Sequence, residues 1–383
     1  MVPFSMVAFS IEMPRSIQVG AGSFEALSAL LADRRRVLVV SGARWLSHSP
    51  WAGALDGLLA GRDLLRIACP DGEPTTESLA LARGTARSFG AECIVGIGGG
   101  SVLDSAKALS ALLAHEGPVE RYLEGVEGAV PVPGPCIPWV AVPTTAGTGA
   151  EVTKNAVIRA PALGVKRSMR SAHLLAAAVL VDPRLTLSLP LRTTGMCGLD
   201  ALTQLLEAYV SKKTNPYVRA LVSGAFAPML DALRKLPRAP DDLELRSAAS
   251  WGALVSGIAL ANGGLGAAHG FAAGIGGVYD IPHGLLCAVL LPPVLEANAS
   301  CIAESVAELA RAAGVADRDP VRWLAGEVRG LLGAYGLPRD LRGLGIPRSM
   351  IAGLSDRSMG SSMKGNPREL SAEERQAILS SVL

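Results

Sequence analysis

Two histidines, His269 and His283, stand fourteen positions apart in a stretch, Gly263 to His283, that is otherwise apolar and rich in glycine. This stretch overlaps a run from Ser247 to Tyr279 that contains no Asp, Glu, Lys or Arg. The chain has five histidines in all. Two of them in so apolar a setting need partners, because burying an unsatisfied polar group is costly. A pair of hydrogen-bonded core histidines would meet that demand. A metal site would meet it too, since neutral imidazole is a common ligand for iron and zinc. Upstream, Gly198-Leu-Asp200-Ala-Leu-Thr-Gln204 spaces Asp200 and Gln204 at i and i+4, which on a helix points both side chains the same way. A carboxylate beside two imidazoles is a divalent-metal set with room for one exogenous oxygen.

Two further stretches have the chemistry of anion binding. Gly96-Ile-Gly98-Gly99-Gly100-Ser101 follows an apolar strand-like run and opens a helical one. Amides at such a helix start bind phosphate, and glycines let the phosphate approach. A plain turn has the same composition, and Ser101 stands where the usual dinucleotide fingerprint has its third glycine. Asp104 falls on the first helical turn, where a carboxylate suits the helix dipole. Thr144-Thr145-Ala-Gly147-Thr148-Gly149 follows another apolar run. Its hydroxyls and amides suit a pyrophosphate or a ribose, or a polar turn. Two ligand loops at the carboxyl ends of strands in one sheet are what an open α/β nucleotide site needs.

The elements that must position these groups change character along the chain. Strands are expected at Arg36–Val40, Leu64–Ile67, Cys93–Ile97, Pro138–Val142 and Ala177–Val181, with helices at Trp51–Leu59, Thr75–Phe89 and Val102–Leu113. This alternation indicates an α/β domain with a mostly parallel sheet. After about Leu189 the strand signals fade. Helices are expected at Gly198–Ser211, Pro216–Leu233, Glu244–Ala261, Gly266–Ile275, Gly284–Asn298, Ile302–Ala313, Pro320–Tyr335, Pro347–Leu354 and Ala372–Leu383. The chain therefore divides into an α/β domain at 1–188 and an all-helical domain at 189–383.

Composition narrows the function classes. Hydrophobic residues make up 49% and aromatics only 4%, so aromatic binding platforms are disfavoured and glycine loops favoured. A net charge of +2 without a basic cluster argues against nucleic acid as a partner. The six cysteines form no CxxC pair and read as reduced thiols of a cytoplasmic protein. The N-terminus lacks the basic start and cleavage site of a signal peptide. Asn262, His269 and the glycine pairs break the uncharged 247–279 run, which suits a core helix followed by a ligand loop rather than a membrane span.

The segments GIGGGSVLDSAKA, PTTAGTGAEVT, GLDALTQLLEAYVS and GLGAAHG…IPHG, in this order, resemble the iron-containing (group III) alcohol dehydrogenase family over nearly the whole chain. The resemblance implies a Rossmann-like N-terminal nucleotide-binding domain and an all-α metal-binding domain, the dehydroquinate synthase-like fold. It implies hydride transfer between NAD or NADP and a small alcohol, aldehyde or ketone, with one divalent metal, Fe2+ or Zn2+, as Lewis acid. Related activities are maleylacetate-reductase-like reduction of an oxo or enol acid, and a dehydroquinate-synthase-like lyase. A homodimer or higher homo-oligomer is expected.

Carried over residue by residue, the resemblance assigns the catalytic metal ligands to Asp200, His269 and His283. The cofactor would be held by Ser41, Gly42, Gly98, Gly99, Gly100, Ser101, Asp104, Thr144, Thr145, Thr148 and Lys166. Lys166 also reads as one of a solvated basic run with Arg167 and Arg170. Three departures stand out. Gln204 occupies the place of the fourth ligand, usually His. Ala273 replaces a further histidine four residues after His269. Gly42 replaces the acidic residue that follows the first strand, which removes the group that bonds a ribose 2′-OH and repels a 2′-phosphate.

Overall fold

The apolar runs of the first half lie side by side, as continuous Val/Ile/Leu segments do when a sheet is covered on both faces. In the computed structural model, which describes residues 8–383, the strands are β1 (Ile17–Val19), β2 (Arg36–Gly42), β3 (Asp63–Cys69), β4 (Cys93–Gly98), β5 (Trp139–Pro143), β6 (Asn155–Ala160), β7 (Val165–Arg170) and β8 (Ala178–Val181). Six of them form one parallel sheet in the order β1-β8-β5-β4-β2-β3. Val95 of β4 lies between Val39 of β2 and Val140 of β5, and all three are buried. From β2 the chain moves outward to β3. It then crosses back to β4 and continues the other way to β5 and β8. The direction of winding thus reverses between β2 and β4. The carboxyl ends of strands at such a switch point are where open α/β sheets bind ligands.

Two features exceed the sequence expectation. β1 is a three-residue edge strand, too short for any alternation to show, and it exists because β8 offers it a register from Ile17↔Val179 to Val19↔Val181. The hairpin of β6 and β7 pairs Asn155–Ala160 antiparallel with Val165–Arg170. Its alternation is present in Asn155-Ala-Val-Ile-Arg-Ala, where Ala156, Ile158 and Ala160 are buried.

The helices of this unit are α1 (Leu27–Leu30), α2 (Ala43–His48), α3 (Ala52–Leu58), α4 (Thr76–Ala86) and α5 (Gly100–Leu112). A capping box between Thr75 and Ser78 starts α4. The fully buried Lys107 of α5 donates to the carbonyls of Ala150 and Asn155 at 2.8 and 2.6 Å and to Thr153 Oγ1 at 2.9 Å. It also faces Asp104 Oδ1 at 3.4 Å, while Asp104 Oδ2 accepts from the Val157 amide at 2.9 Å. Asp104, expected at the cofactor, is therefore turned inward, where it ties α5 to β6. The reason is local: Lys107, one turn on, cannot be buried without a nearby carboxylate and a full set of acceptors.

The second unit is helical: α6 (Leu191–Val210), α7 (Pro216–Lys235), α8 (Leu243–Gly263), α9 (Ala267–Gly276), α10 (His283–Ala312), α11 (Pro320–Ala334), α12 (Ile351–Arg357) and α13 (Ala372–Val382). The compact units do not follow a single cut. Met13–Pro190 is joined by Asp241–Leu254, and residues 8–12 belong with Leu191–Pro240 and Val255–Leu383. The uncharged run spans two helices, α8 and α9, close to the expected Glu244–Ala261 and Gly266–Ile275, and they are bent by 95° at a short break. The helices expected at Gly284–Asn298 and Ile302–Ala313 are one helix of 30 residues. It continues through Pro292 and Pro293, which remove two backbone donors, because packing against α6, α9 and α11 holds it. It is long and apolar enough to cross a membrane, but 67% of its apolar window is buried within the protein, as in a core helix.

Glu151, just beyond the threonine loop, is buried near Lys107, and burial pushes its pKa up to about 7 from an ordinary 4.5. The native carboxyl thus keeps a proton that the unfolded chain has released between those pH values. Its contribution to stability is whole below pH 4.5 and is lost as pH rises towards 7, to a total of about 3 kcal/mol. Glu151→Gln, which cannot ionise, should gain thermal stability relative to the natural protein between pH 5 and pH 8. Melting curves that keep a constant separation over that range would exclude this.

Candidate active site

Helix α6 carries Asp200 and Gln204 one turn apart, both buried on one face. Helix α9 brings His269, three residues into its first turn, and α10 brings His283 as its first residue. Gly284 makes the last approach feasible, because a Cβ there would lie 2.4 Å from the Met196 carbonyl oxygen of α6. The structure thus gathers all four residues expected at the metal. Asp200 Oδ1 and His269 Nε2 face each other at 3.4 Å. Both atoms are buried without a hydrogen-bond partner. The rings of His269 and His283 lie 5.6 Å apart, tilted by 56°.

Around this cluster stand groups that the sequence did not single out. Glu207, one turn beyond Gln204 on α6, accepts from the Ala268 amide at 2.6 Å and faces His269 Nδ1 at 2.6 Å. Its carboxylate therefore sits on the start of α9, where a negative charge is favoured, and fixes the histidine's orientation. With Nδ1 bonded to the carboxylate, Nε2 is the nitrogen left to face Asp200. The amide of Gln204 donates to Asp200 Oδ2 at 3.1 Å and accepts from Ser256 Oγ at 2.6 Å. Cys287, one turn after His283 on α10, puts Sγ 3.5 Å from His283 Nε2. The signal for Glu207 and Cys287 was their spacing alone, i+7 from Asp200 and i+4 from His283.

The charge balance of the cluster suits a cation. Burial opposes the His269 imidazolium, yet Cys287, Glu207 and Asp200 around it outweigh burial and raise its pKa well above the ordinary value. Burial likewise opposes the Asp200 carboxylate, but His269 and His283 hold its pKa below the usual range. Buried, partnerless and mutually facing donor atoms of these types fit a divalent ion. Ala273, four residues after His269, is exposed and brings no titratable group.

In the α/β unit, the two expected loops pack on each other. The Thr144 amide donates to the Gly98 carbonyl at 3.0 Å. A Cβ on Gly100 would come within 2.8 Å of Thr148, so only glycine lets the loops close up. The first amides of α5, at Gly100 and Ser101, have no carbonyl one turn back and are available to an anion. Thr145 and Thr148 are partly exposed beside them, and Thr144 is nearly buried. Lys166 reaches Glu73 in an ion pair. Ser41 is fully enclosed and its Oγ finds no hydrogen-bond partner, so in this conformation it does not present its hydroxyl to a ligand. Gly42 follows it at the strand end, with extended backbone (φ −70°, ψ 145°) open to any residue. Arg44 is turned to solvent and pairs with Asp71 at 2.7 Å.

Comparison with known proteins names the class. The family model for iron-containing alcohol dehydrogenase matches residues 14–183, and the one for the C-terminal part of the Fe-containing alcohol dehydrogenase family matches residues 194–383. The chain is 33% identical over 288 residues to long-chain-alcohol dehydrogenase 1 of Geobacillus thermodenitrificans, covering 74% of this chain and 72% of the relative. It is 31% identical over 366 residues to a 1,3-propanediol dehydrogenase of Citrobacter freundii, covering 91% and 92%. A crystal structure of a 1,3-propanediol oxidoreductase superposes with a TM-score of 0.92 at 27% identity, covering 98% of this chain and all of that one. The chain belongs to the iron-containing alcohol dehydrogenase family. It is an oxidoreductase that moves hydride between an alcohol or its carbonyl product and NAD(P), the reading its relatives favour over a lyase.

Removing Glu207 should unseat both α9 and His269. Glu207→Ala leaves buried donors unsatisfied, so it should cost on the order of 3 kcal/mol in denaturant unfolding. It should also weaken metal retention roughly 10–100-fold in chelator competition. Unchanged stability and retention would show that the carboxylate does not hold the histidine.

Proposed function

We propose that the protein interconverts a small alcohol and its aldehyde, with Asp200, His269 and His283 holding one divalent metal. The α/β unit takes the dinucleotide and the helical unit the metal and substrate. The observation that carries this reading is the meeting of Asp200 Oδ1 and His269 Nε2, buried, 3.4 Å apart and without hydrogen bonds. When bound, the metal supplies Lewis acidity to the substrate oxygen, and the nicotinamide takes or returns the hydride.

The chain's own residues do the positioning. Glu207 holds His269 through Nδ1 so that Nε2 points at the site. Gln204 steadies Asp200 through Oδ2 and is itself steadied by Ser256. Amides at Gly98, Gly99, Gly100 and Ser101 receive the pyrophosphate, with Thr144, Thr145 and Thr148 beside it. Lys166 reaches the cofactor by exchanging its Glu73 partner for it. Ala273 offers no proton acceptor, so the alcohol proton leaves through water or the ribose hydroxyls. The relatives are named for propanediol, long-chain alcohols, choline and sulfoacetaldehyde, which supports an alcohol or aldehyde as substrate and leaves its charge to a substrate screen.

The metal assignment is tested by His283→Ala, which should lose bound metal in elemental analysis while keeping its helical circular dichroism. Full metal content in that variant would sink the assignment.

Cofactor choice follows from Gly42. With no carboxylate at the end of β2, nothing there repels a 2′-phosphate, and the protein should use NADPH at least as well as NADH. A Cβ at position 42 would only brush Val102 at 3.9 Å, so Gly42→Asp should fold. It should shift the ratio of kcat/KM values towards NADH by roughly tenfold or more, or about 1.4 kcal/mol. A natural protein that strongly prefers NADH, with a ratio indifferent to the substitution, would place the specificity elsewhere.

A further inference from the structure

The fourth position of the metal cluster is open to a different residue from the one its place in the chain suggests. Gln204 stands where the family usually has a histidine, but its amide is already committed. Its oxygen accepts from Ser256 Oγ at 2.6 Å and its nitrogen donates to Asp200 Oδ2 at 3.1 Å. Cys287 is fully buried and lies on α10 one turn from His283, so both side chains share a face. Its Sγ is 3.5 Å from His283 Nε2. One donor atom from each of Asp200, His269, His283 and Cys287 falls within 4.8 Å of every other. Tetrahedral zinc, with about 2.0–2.1 Å to nitrogen or oxygen and about 2.3 Å to sulfur, requires donor separations of roughly 3.3–3.6 Å. The four groups therefore reach ligand geometry by closing in slightly, with no change of fold.

We propose that Cys287 is the fourth protein ligand, making an Asp-His-His-Cys site that favours Zn2+ over Fe2+. The inference rests on the metal reading of Asp200, His269 and His283. Replacing an imidazole by a thiolate makes the set softer, which favours zinc within a series that already ranks zinc above ferrous iron. Binding releases the thiol proton to solvent and forms the metal–sulfur bond without any redox step. Gln204 then acts as a positioning residue for Asp200. The exchange is physically coherent: α6 gives up one ligand, and α10, which already carries His283, supplies the replacement from the next turn.

Cobalt tests this directly, because a thiolate ligand gives Co2+ an intense near-ultraviolet sulfur-to-metal absorption that nitrogen and oxygen ligands do not. The metal-stripped protein is titrated with Co2+ and should bind one equivalent with that band. Cys287→Ser should still bind cobalt, at least tenfold more weakly, and lose the band. Cys287→Ala, which buries no new hydroxyl, covers the case in which serine unfolds the helix. Cys197→Ser, on α6, should keep the band. Competition between Zn2+ and Fe2+ should show the zinc preference fall at least tenfold in the Cys287 variants. One equivalent of cobalt without the band, or a band that survives at Cys287→Ala, overturns the proposal. If cobalt binding is then also lost in His283→Ala, the three-ligand reading stands and only Cys287 is excluded. If His283→Ala binds normally, the metal reading itself has failed.

Discussion

The buried carboxylate of Glu207 accepts from the Ala268 amide and faces the ring nitrogen of His269, both at 2.6 Å. An ionised group out of water is tolerable only when its oxygens are filled in this way. The requirement works in both directions. The carboxylate needs the start of α9 to be where it is, and α9 needs a negative charge at its first amides. His269 sits within that first turn, so its position and its free nitrogen follow from the same contact. Gly284 then lets α10 come against α6 closely enough for His283 to join. Much of the cluster's geometry is thus the consequence of one helix start being closed by a residue from another helix.

The α/β unit uses a similar device for a different end. Lys107 and Asp104 are buried together on α5, and their remaining hydrogen-bonding capacity is spent on the chain around Ala150, Thr153, Asn155 and Val157. A buried pair of this kind adds little net stability, but leaving either partner alone would be costly. It therefore acts as a geometric lock between α5 and β6. The glycine loop at the start of α5 is packed against the threonine loop, Gly100 against Thr148. The lock holds the start of α5, and with it the unpaired amides of Gly100 and Ser101, in a fixed place.

Departures from a family pattern acquire meaning only with their neighbours in view. Gln204 in place of histidine looks in the sequence like a weakened metal site. In the structure the amide spans Asp200 and Ser256, donating to one and accepting from the other. Arg44, two residues beyond Gly42, pairs in solvent with Asp71. An exposed ion pair of that type contributes little to stability.

The amino-acid sequence by itself determined the division into an α/β part and a helical part, five of the six sheet strands and nearly every helix. Those features follow from local periodicity and from breakers such as Asn215-Pro216, which act over a few residues. It also picked out Asp200, His269 and His283 as residues that could meet, since a histidine in an uncharged run, another just beyond it and a carboxylate at helical spacing are local anomalies. Only the tertiary structure decided the rest. β1 exists because β8 pairs with it, and α10 runs through two prolines because its neighbours hold it. Asp104 turns inward because Lys107 must be satisfied. Glu207 and Cys287 enter the site because helices far apart in the chain bring them there. Each of these depends on a partner dozens to hundreds of positions away or on packing from several sides, which a local pattern of residues does not contain.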